Sequence, residues 1–202
     1  MINTIIFDLG DIFINLEKKK SIESFKKLGL SGSNQDLISK NELFEKGKIN
    51  EIEFIESFKK YLPDASIEEI VEAWKSIIGE FPLARLEFLQ MLSSKYRLFL
   101  LTNTDSIHIN HFEHKVGMSF YSDFYHCFEK VYFSYEMGMR KPEIEIFKTI
   151  LRERELIPKR TLFVDDKKEN TDAAELLGLH VWNLKVDHED VVDLFNKKHL
   201  PF

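Results

Sequence analysis

The sequence predicts an α/β protein, with a doubly wound parallel-sheet core and a small α-helical domain inserted after the first strand. Short apolar runs recur at Ile5-Ile6-Phe7, Leu98-Phe99-Leu100-Leu101 and Leu162-Phe163-Val164. Bounded by turn residues, such runs read as strands buried on both faces. Helical periodicity alternates with them through the second half of the chain, the pattern of parallel strands joined by crossovers. Between the first and second runs only helical patterns occur, as in a small bundle.

The first strand runs straight into Asp8-Leu9-Gly10-Asp11. Ligands of parallel sheets bind beyond the carboxyl ends of the strands, so Asp8 falls at the mouth of a crevice. Taken alone, the stretch reads equally well as a capping Asp with a turn glycine. Lys18 to Leu28, Asn34 to Lys46, Glu51 to Tyr61 and Ser66 to Ile78 carry apolar residues at helical spacing. Gly29, Gly47 and Pro63-Asp64 mark the breaks, and Ser66 with Glu69 fits a capping box. The expected division is residues 1–14 and 83–202 for the core and 15–82 for the inserted helical domain.

Leu83 to Leu92 reads as a helix and Arg97 to Leu101 as a strand ending at Thr102-Asn103. Ser106 to Val116 reads as helical, Met118 to Phe128 as irregular and aromatic, and Lys130 to Phe133 as a strand. A loop, Gly138 to Pro142, precedes a helix from Glu143 to Arg154, with Pro142 suited to its first turn. Arg160 to Val164 is a strand ending at Asp165-Asp166, Asn170 to Leu177 a helix stopped by Gly178, and His180 to Trp182 a last strand.

With 202 residues the chain can bury a core without disulfides or structural metals. Its net charge of -6 argues against a broad nucleic-acid surface, though a local site can still oppose that charge and hold an anion. A lone cysteine, Cys127, makes no intramolecular disulfide, which points to a reducing cytoplasm. The first residues carry no basic segment of a secretory leader, and no apolar run approaches the ~18 residues of a membrane span. The expected partner is a small metabolite bound by a monomer or homodimer, with no nucleic acid and no membrane.

The polar residues that close the strands converge. Asp8, Thr102, and Asp165 with Asp166 each follow an apolar strand, and Lys141 opens a helix after another. In a parallel sheet these positions share one edge. Three carboxylates at one edge repel unless a cation neutralises them, and oxygen ligands suit Mg²⁺ with waters and a substrate phosphate. A carboxylate can attack phosphorus, and Thr102 and Lys141 can hold the phosphoryl oxygens.

The ordered set Phe-Asp-Leu-Gly at 7–10, Thr102-Asn103, Arg140-Lys141-Pro142-Glu143-Ile144 and Phe163-Val164-Asp165-Asp166 resembles the haloacid dehalogenase-like hydrolases. The place of the insertion is similar to the subfamily with an α-helical cap over a Rossmann-like core. The resemblance implies Asp8 as nucleophile and Thr102, Asn103 and Lys141 as substrate-phosphate ligands. It implies Mg²⁺ held by Asp8, the Gly10 carbonyl and Asp166, with Asp165 supporting it through the water shell. Asn170 falls where a further polar residue is common. The implied activity is a Mg²⁺-dependent phosphohydrolase of a small phosphorylated metabolite, such as a sugar phosphate, through an aspartyl-phosphate.

One position departs from that pattern. Family phosphatases carry a second Asp two residues after the nucleophile to protonate the leaving group, and here Gly10 stands there. Asp11 is the nearest substitute. The missing acid keeps open a catalytically silent binding module, and the fold keeps open a 2-haloacid dehalogenase, whose chemistry needs no metal. Retention of Asp165 and Asp166 favours the metal.

Other features read as structural. His108, His111 and His114 do not share one helical face, although His108 lies near enough to Thr102 to reach a substrate. Cys127 reads as a packed thiol, Lys18-Lys19-Lys20 as a solvated helix start, and Trp74 and Trp182 as core or interface residues. Leu43 to Lys48 is the segment expected over the pocket, where similar caps exclude water.

Overall fold

The computed structural model describes residues 1–202. Five parallel strands, β1 (Thr4–Phe7), β2 (Arg97–Thr102), β3 (Lys130–Phe133), β4 (Thr161–Asp165) and β5 (His180–Asn183), form one sheet in the order β3-β2-β1-β4-β5. Strand β1 pairs with β2 from Thr4↔Arg97 to Phe7↔Leu100, and with β4 from Thr4↔Thr161 to Phe7↔Val164. This register sets Asp8 level with the ends of both neighbours. The sheet order reverses at β1, which makes its carboxyl end the crevice of the fold.

Alternation along the strands explains why the runs are continuous. Ile5, Phe7, Leu98, Leu100, Leu162 and Val164 enter one hydrophobic cluster, whereas Ile6, Phe99, Leu101 and Phe163 enter another on the opposite face. Successive side chains point to opposite faces, so a sheet covered on both sides needs apolar residues at every position. Helices α1 (Lys18–Lys27), α2 (Gln35–Glu45), α3 (Glu51–Lys59) and α4 (Ile67–Lys75) lie between β1 and β2 in the chain. Asn50 with Glu53 and Ser66 with Glu69 form reciprocal capping boxes on α3 and α4.

These four helices close on their own aromatic cluster. The Phe44 and Phe54 rings stack at 4.4 Å, and Phe54 meets Trp74 edge-on at 4.8 Å. Each such pair adds roughly 0.5–1.5 kcal/mol beyond area burial. Ile107, on α6 (Ser106–Val116), joins that cluster and so seats the helices against the sheet domain. A second contact is tighter. Gly47, with φ 60°, lies so close to the Tyr135 carbonyl that a Cβ there would come within 2.2 Å of its oxygen.

Helix α5 (Leu83–Ser93) follows the insertion, and three elements differ from the sequence expectation. Met118–His126 is a helix, α7, rather than irregular chain. Its Phe120, Tyr121, Phe124 and Tyr125 recur at helical spacing and bury one face. Four large rings weaken intrinsic helix propensity without abolishing it, and tertiary packing decides the outcome. Ser134–Met137 forms a short helix, α8, closed by left-handed Gly138, where a strand-to-loop passage was expected. Pro142 sits outside helix α9 (Ile144–Glu153), in the turn before its cap Glu143. Helix α10 (Lys168–Glu175) and β5 complete the sheet domain.

Candidate active site

Strand ends β1, β2 and β4 deliver Asp8, Thr102 and Asp165 to one edge, and the turn before α9 delivers Lys141 beneath them. Lys141 is the centre of the arrangement. It is 1 % exposed, and its Nζ lies 2.8 Å from Asp8 Oδ1, 2.7 Å from Asp165 Oδ2 and 2.8 Å from the Leu101 carbonyl. An ammonium has three protons, and all three have acceptors. Burial pulls the lysine pKa down, but the charges of Asp165 and Asp8 outweigh it and hold the pKa above its ordinary value.

Asp165 is fully committed. Besides Lys141 it accepts the Lys167 backbone N–H at 2.8 Å and the Asn170 amide at 3.0 Å on both oxygens. Burial raises its pKa against the pull of Lys141. These donors leave Asp165 the work of orienting the lysine, and they give Asn170 a fixed place in the site. Asn103 also braces the lysine. Its amide donates to the Lys141 carbonyl at 2.8 Å and accepts from the Lys141 N–H at 2.8 Å, so its side chain holds the lysine turn, with a second amide proton left over in a residue that lines the cavity.

Asp8, Asp165 and Asp166 each place a carboxylate oxygen within 4.8 Å of the others. The Asn183 amide fixes the Asp166 backbone by donating to its carbonyl at 2.7 Å. Burial, then the charges of Asp8 and Asp165, push the Asp166 carboxyl up to about 6, against the pull of Lys18. Three hard oxygen donors that repel one another fit a divalent cation with a preference for oxygen. The Gly10 carbonyl accepts no backbone hydrogen bond, which leaves it free for the same ion.

Asp11 does not replace the missing acid. Its φ is 56°, a left-handed conformation that Asp tolerates better than most residues, and its Oδ1 accepts the Leu16 N–H at 2.9 Å. Its other oxygen takes Lys18 Nζ at 2.6 Å, and the residue lines a neighbouring cavity instead of this one. Lys18, half exposed in the run read as a solvated helix start, also approaches Asp166 at 3.8 Å. Its pKa is raised: partial burial lowers it, and the carboxylates of Asp11 and Asp166 more than compensate.

A cavity of about 240 Å³ opens above Asp8, Thr102, Lys141 and Asp166. Its roof comes from the inserted helices, through Asn41 and Glu45 of α2 and Trp74 of α4. His108, on the core side, also lines it, but both ring nitrogens are occupied. Nδ1 lies 2.9 Å from Asp105 Oδ2 and Nε2 lies 3.0 Å from the Trp74 carbonyl. Two acceptors favour a proton on each nitrogen, the imidazolium form. Burial lowers its pKa, but Asp105 outweighs burial and holds it above the usual value. Trp74 stacks on the ring at 4.8 Å and donates to Asp105 at 3.2 Å. His111 and His114 stand apart from this cluster, and Cys127 packs in the hydrophobic core.

Three features escaped the sequence reading: the Trp74–His108–Asp105 cluster, the Asn41–Glu45 pair and the Arg140 anchor on Glu45. Asn41 and Glu45 stand four residues apart on one helix, which could have flagged a shared polar face. Nothing local marks their partners.

Fold and site together define a parallel α/β protein with an acid-and-lysine centre at the switch point of its sheet. The family model of haloacid dehalogenase-like hydrolases matches residues 5–184, and the chain belongs to that family. It is 29 % identical over 192 residues to a D-ribitol-5-phosphate phosphatase of Bacteroides thetaiotaomicron, covering 90 % of this chain and 91 % of that one. A haloacid dehalogenase family enzyme of the same organism, crystallised with magnesium and inorganic phosphate, superposes with a TM-score of 0.82 at 35 % identity, over 96 % of this chain and 100 % of that one. A predicted hydrolase of this family from Porphyromonas gingivalis superposes at 0.83 with 27 % identity, over all of both chains. An L-2-haloacid dehalogenase at 15 % identity and TM-score 0.64 shares the fold alone.

Proposed function

We propose that the protein is a Mg²⁺-dependent phosphatase of a small sugar or polyol phosphate, acting through an aspartyl-phosphate on Asp8 beneath a helical cap formed by residues 15–82. The observation that carries this is Lys141, buried between Asp8 and Asp165 with Asp166 beside them. Lys141 occupies Asp8 Oδ1, which leaves Oδ2 to attack phosphorus. The Thr102 hydroxyl then holds a phosphoryl oxygen, and Lys141, its three protons already bonded, offsets the developing charge by its field. Asp8, Asp166 and the Gly10 carbonyl would hold Mg²⁺, which when bound lowers the repulsion between nucleophile and phosphate.

The P–O bond to the alcohol breaks as the Asp8–phosphorus bond forms. With Gly10 in the acid's place and Asp11 tied to Lys18, the leaving oxygen takes its proton from water. A second water attacks phosphorus, gives one proton to the hydroxide left by the first, and restores the Asp8 carboxylate as the P–O bond to it breaks. The expected result is phosphate release from sugar or polyol monophosphates with Mg²⁺, lost in Asp8→Asn and on chelation. Equal release by wild type and Asp8→Asn would sink this reading. The absent acid favours one alternative, a silent binding module: phosphate esters would then bind without turnover, even after Gly10→Asp.

A further inference from the structure

Position 10 carries no acid, and the room for one is taken. A Cβ at Gly10 would point at Leu16, whose Cδ1, Cγ and Cδ2 are its three nearest neighbours at 2.9, 3.5 and 3.7 Å. Leu16 belongs to the linker that enters the inserted helices, and that linker is extended. The Asn15 N–H donates to the Glu80 carbonyl at 2.9 Å, the Glu17 N–H donates to the Ile77 carbonyl at 2.8 Å, and Leu16 pairs with Ile78 between them. Side chains of an extended segment alternate between two faces. Accordingly Ile14, Leu16 and Lys18 line the cavity above Asp8, whereas Asn15 and Glu17 line its neighbour. The register that sets Leu16 in the acid's space also brings Lys18 into the same cavity.

Four cationic side chains line that cavity, and they differ in what they have left to give. Lys141 has an acceptor for each proton, and both ring nitrogens of His108 are bonded. Lys167 is exposed, and only its backbone N–H is bonded, to Asp165. Lys18 alone is both anchored and unspent. Asp11 Oδ2 takes one of its protons at 2.6 Å, and Asp166 Oδ2, at 3.8 Å, lies beyond hydrogen-bond distance, so two protons remain. Asp11 also accepts the Leu16 N–H at 2.9 Å, which ties the lysine and its linker to one carboxylate. Asp166 lies beside Asp8, so the ammonium stands at the edge of the space that an ester on Asp8 would fill.

We infer that Lys18 does the electrostatic part of the work that the absent acid leaves undone: its ammonium, steadied by Asp11, donates a hydrogen bond to the leaving oxygen of the ester. This rests on the phosphatase reading of the same cavity. As Asp8 Oδ2 bonds to phosphorus, the electron pair of the breaking P–O bond stays on the alcohol oxygen. Lys18 offsets that charge and keeps its own proton, while water protonates the oxygen. A cation aimed at charge that exists only in the transition state lowers the barrier without tightening the ground state. The need is greatest for an alkyl alcohol and slight for a phenol, which ionises near 10 as tyrosine does.

The test is release of the alcohol in a single turnover, at saturating enzyme and Mg²⁺, which reads P–O cleavage apart from binding. The substrates are a pentitol 5-phosphate and phenyl phosphate, and the proteins are wild type, Lys18→Met, Lys18→Arg and Asp11→Asn. Lys18→Met should slow cleavage of the pentitol ester by about thirtyfold, less than the ~10²–10³-fold of a fully enclosed donor because the lysine is half exposed. On phenyl phosphate its effect should be at least several-fold smaller. Lys18→Arg, which keeps the charge and the donors, should recover most of the rate on the pentitol ester. Asp11→Asn keeps an acceptor for the Leu16 N–H but drops the charge that steadies the lysine, and should give the same pattern at smaller size. Equal losses on the two esters, no loss on either, or a change only in the enzyme concentration needed for saturation would overturn the role of Lys18. Those outcomes leave the phosphatase reading standing, because wild type still cleaves the esters. Should wild type cleave neither ester, the phosphatase reading falls and the role of Lys18 falls with it.

Discussion

Floor and roof of the cavity are built on opposite principles. At the floor, each proton of Lys141 has an acceptor, each oxygen of Asp165 has a donor, and the Asn103 amide is closed on the lysine turn. At the roof, Asn41 Oδ1 is buried without a hydrogen-bond partner. The floor is preorganised before a ligand arrives, and preorganised charge is where most transition-state stabilisation originates. The roof is less completely bonded, so chemistry sits on the more rigid side.

The contrast can be tested from its strongest point downward. Asp8→Asn removes the nucleophile and should lower phosphate release by roughly 10⁴-fold or more, measured in single-turnover assays. A residual rate within tenfold of wild type would mean that the floor does not do the chemistry. Lys141→Met strands two carboxylates in the interior and should cost about 3–5 kcal/mol of stability in metal-free denaturant unfolding. Mg²⁺ should restore more stability to this variant than to wild type. Equal effects of the ion on both proteins would show that lysine and cation do not share the same carboxylates.

Gly10→Asp would supply the absent acid. A Cβ at Gly10 meets Leu16 Cδ1 at 2.9 Å, but that is the movable end of a side chain, and the Gly10 backbone is not left-handed. Turnover of an alkyl phosphate should rise by about 10²-fold, with little gain on phenyl phosphate, whose leaving group needs no proton. A uniform gain would point to better binding instead of acid catalysis.

The smallest effect belongs to His108. Its pKa is raised by Asp105, so its stabilisation is complete below the unfolded value of about 6.5 and is lost as pH rises through the folded value. The Trp74 carbonyl and Glu45 face the same ring and act in the same direction. The melting-temperature gap between wild type and His108→Gln should therefore be wider at pH 6 than at pH 9. A gap that grows with pH would reverse the assigned sign.

The floor was legible in the sequence for a physical reason. Asp8, Thr102 and Asp165 each terminate a short apolar run of the kind that forms doubly buried strands, and parallel strands of one sheet end together. The roof was not legible. Arg140 and Glu45 lie 95 residues apart and Trp74 and Asp105 lie 31 apart, and neither pair carries a local pattern that announces its partner. Helix α7 was hidden by its own composition, since Phe120, Tyr121, Phe124 and Tyr125 suit strands as well as helices. Asn103 was visible as a residue, but its bonds to the Lys141 turn were not, because the two lie 38 residues apart.

Gly47 makes the closure of the two halves a matter of one hydrogen atom. Its α-carbon is pressed toward the Tyr135 carbonyl, and Tyr135 lies six residues before the buried lysine. A single methyl here would act as a doorstop. The helical lid would stand ajar, the salt link from Arg140 to Glu45 would stretch, and bulk solvent would flood the vestibule while every catalytic group stayed where it was.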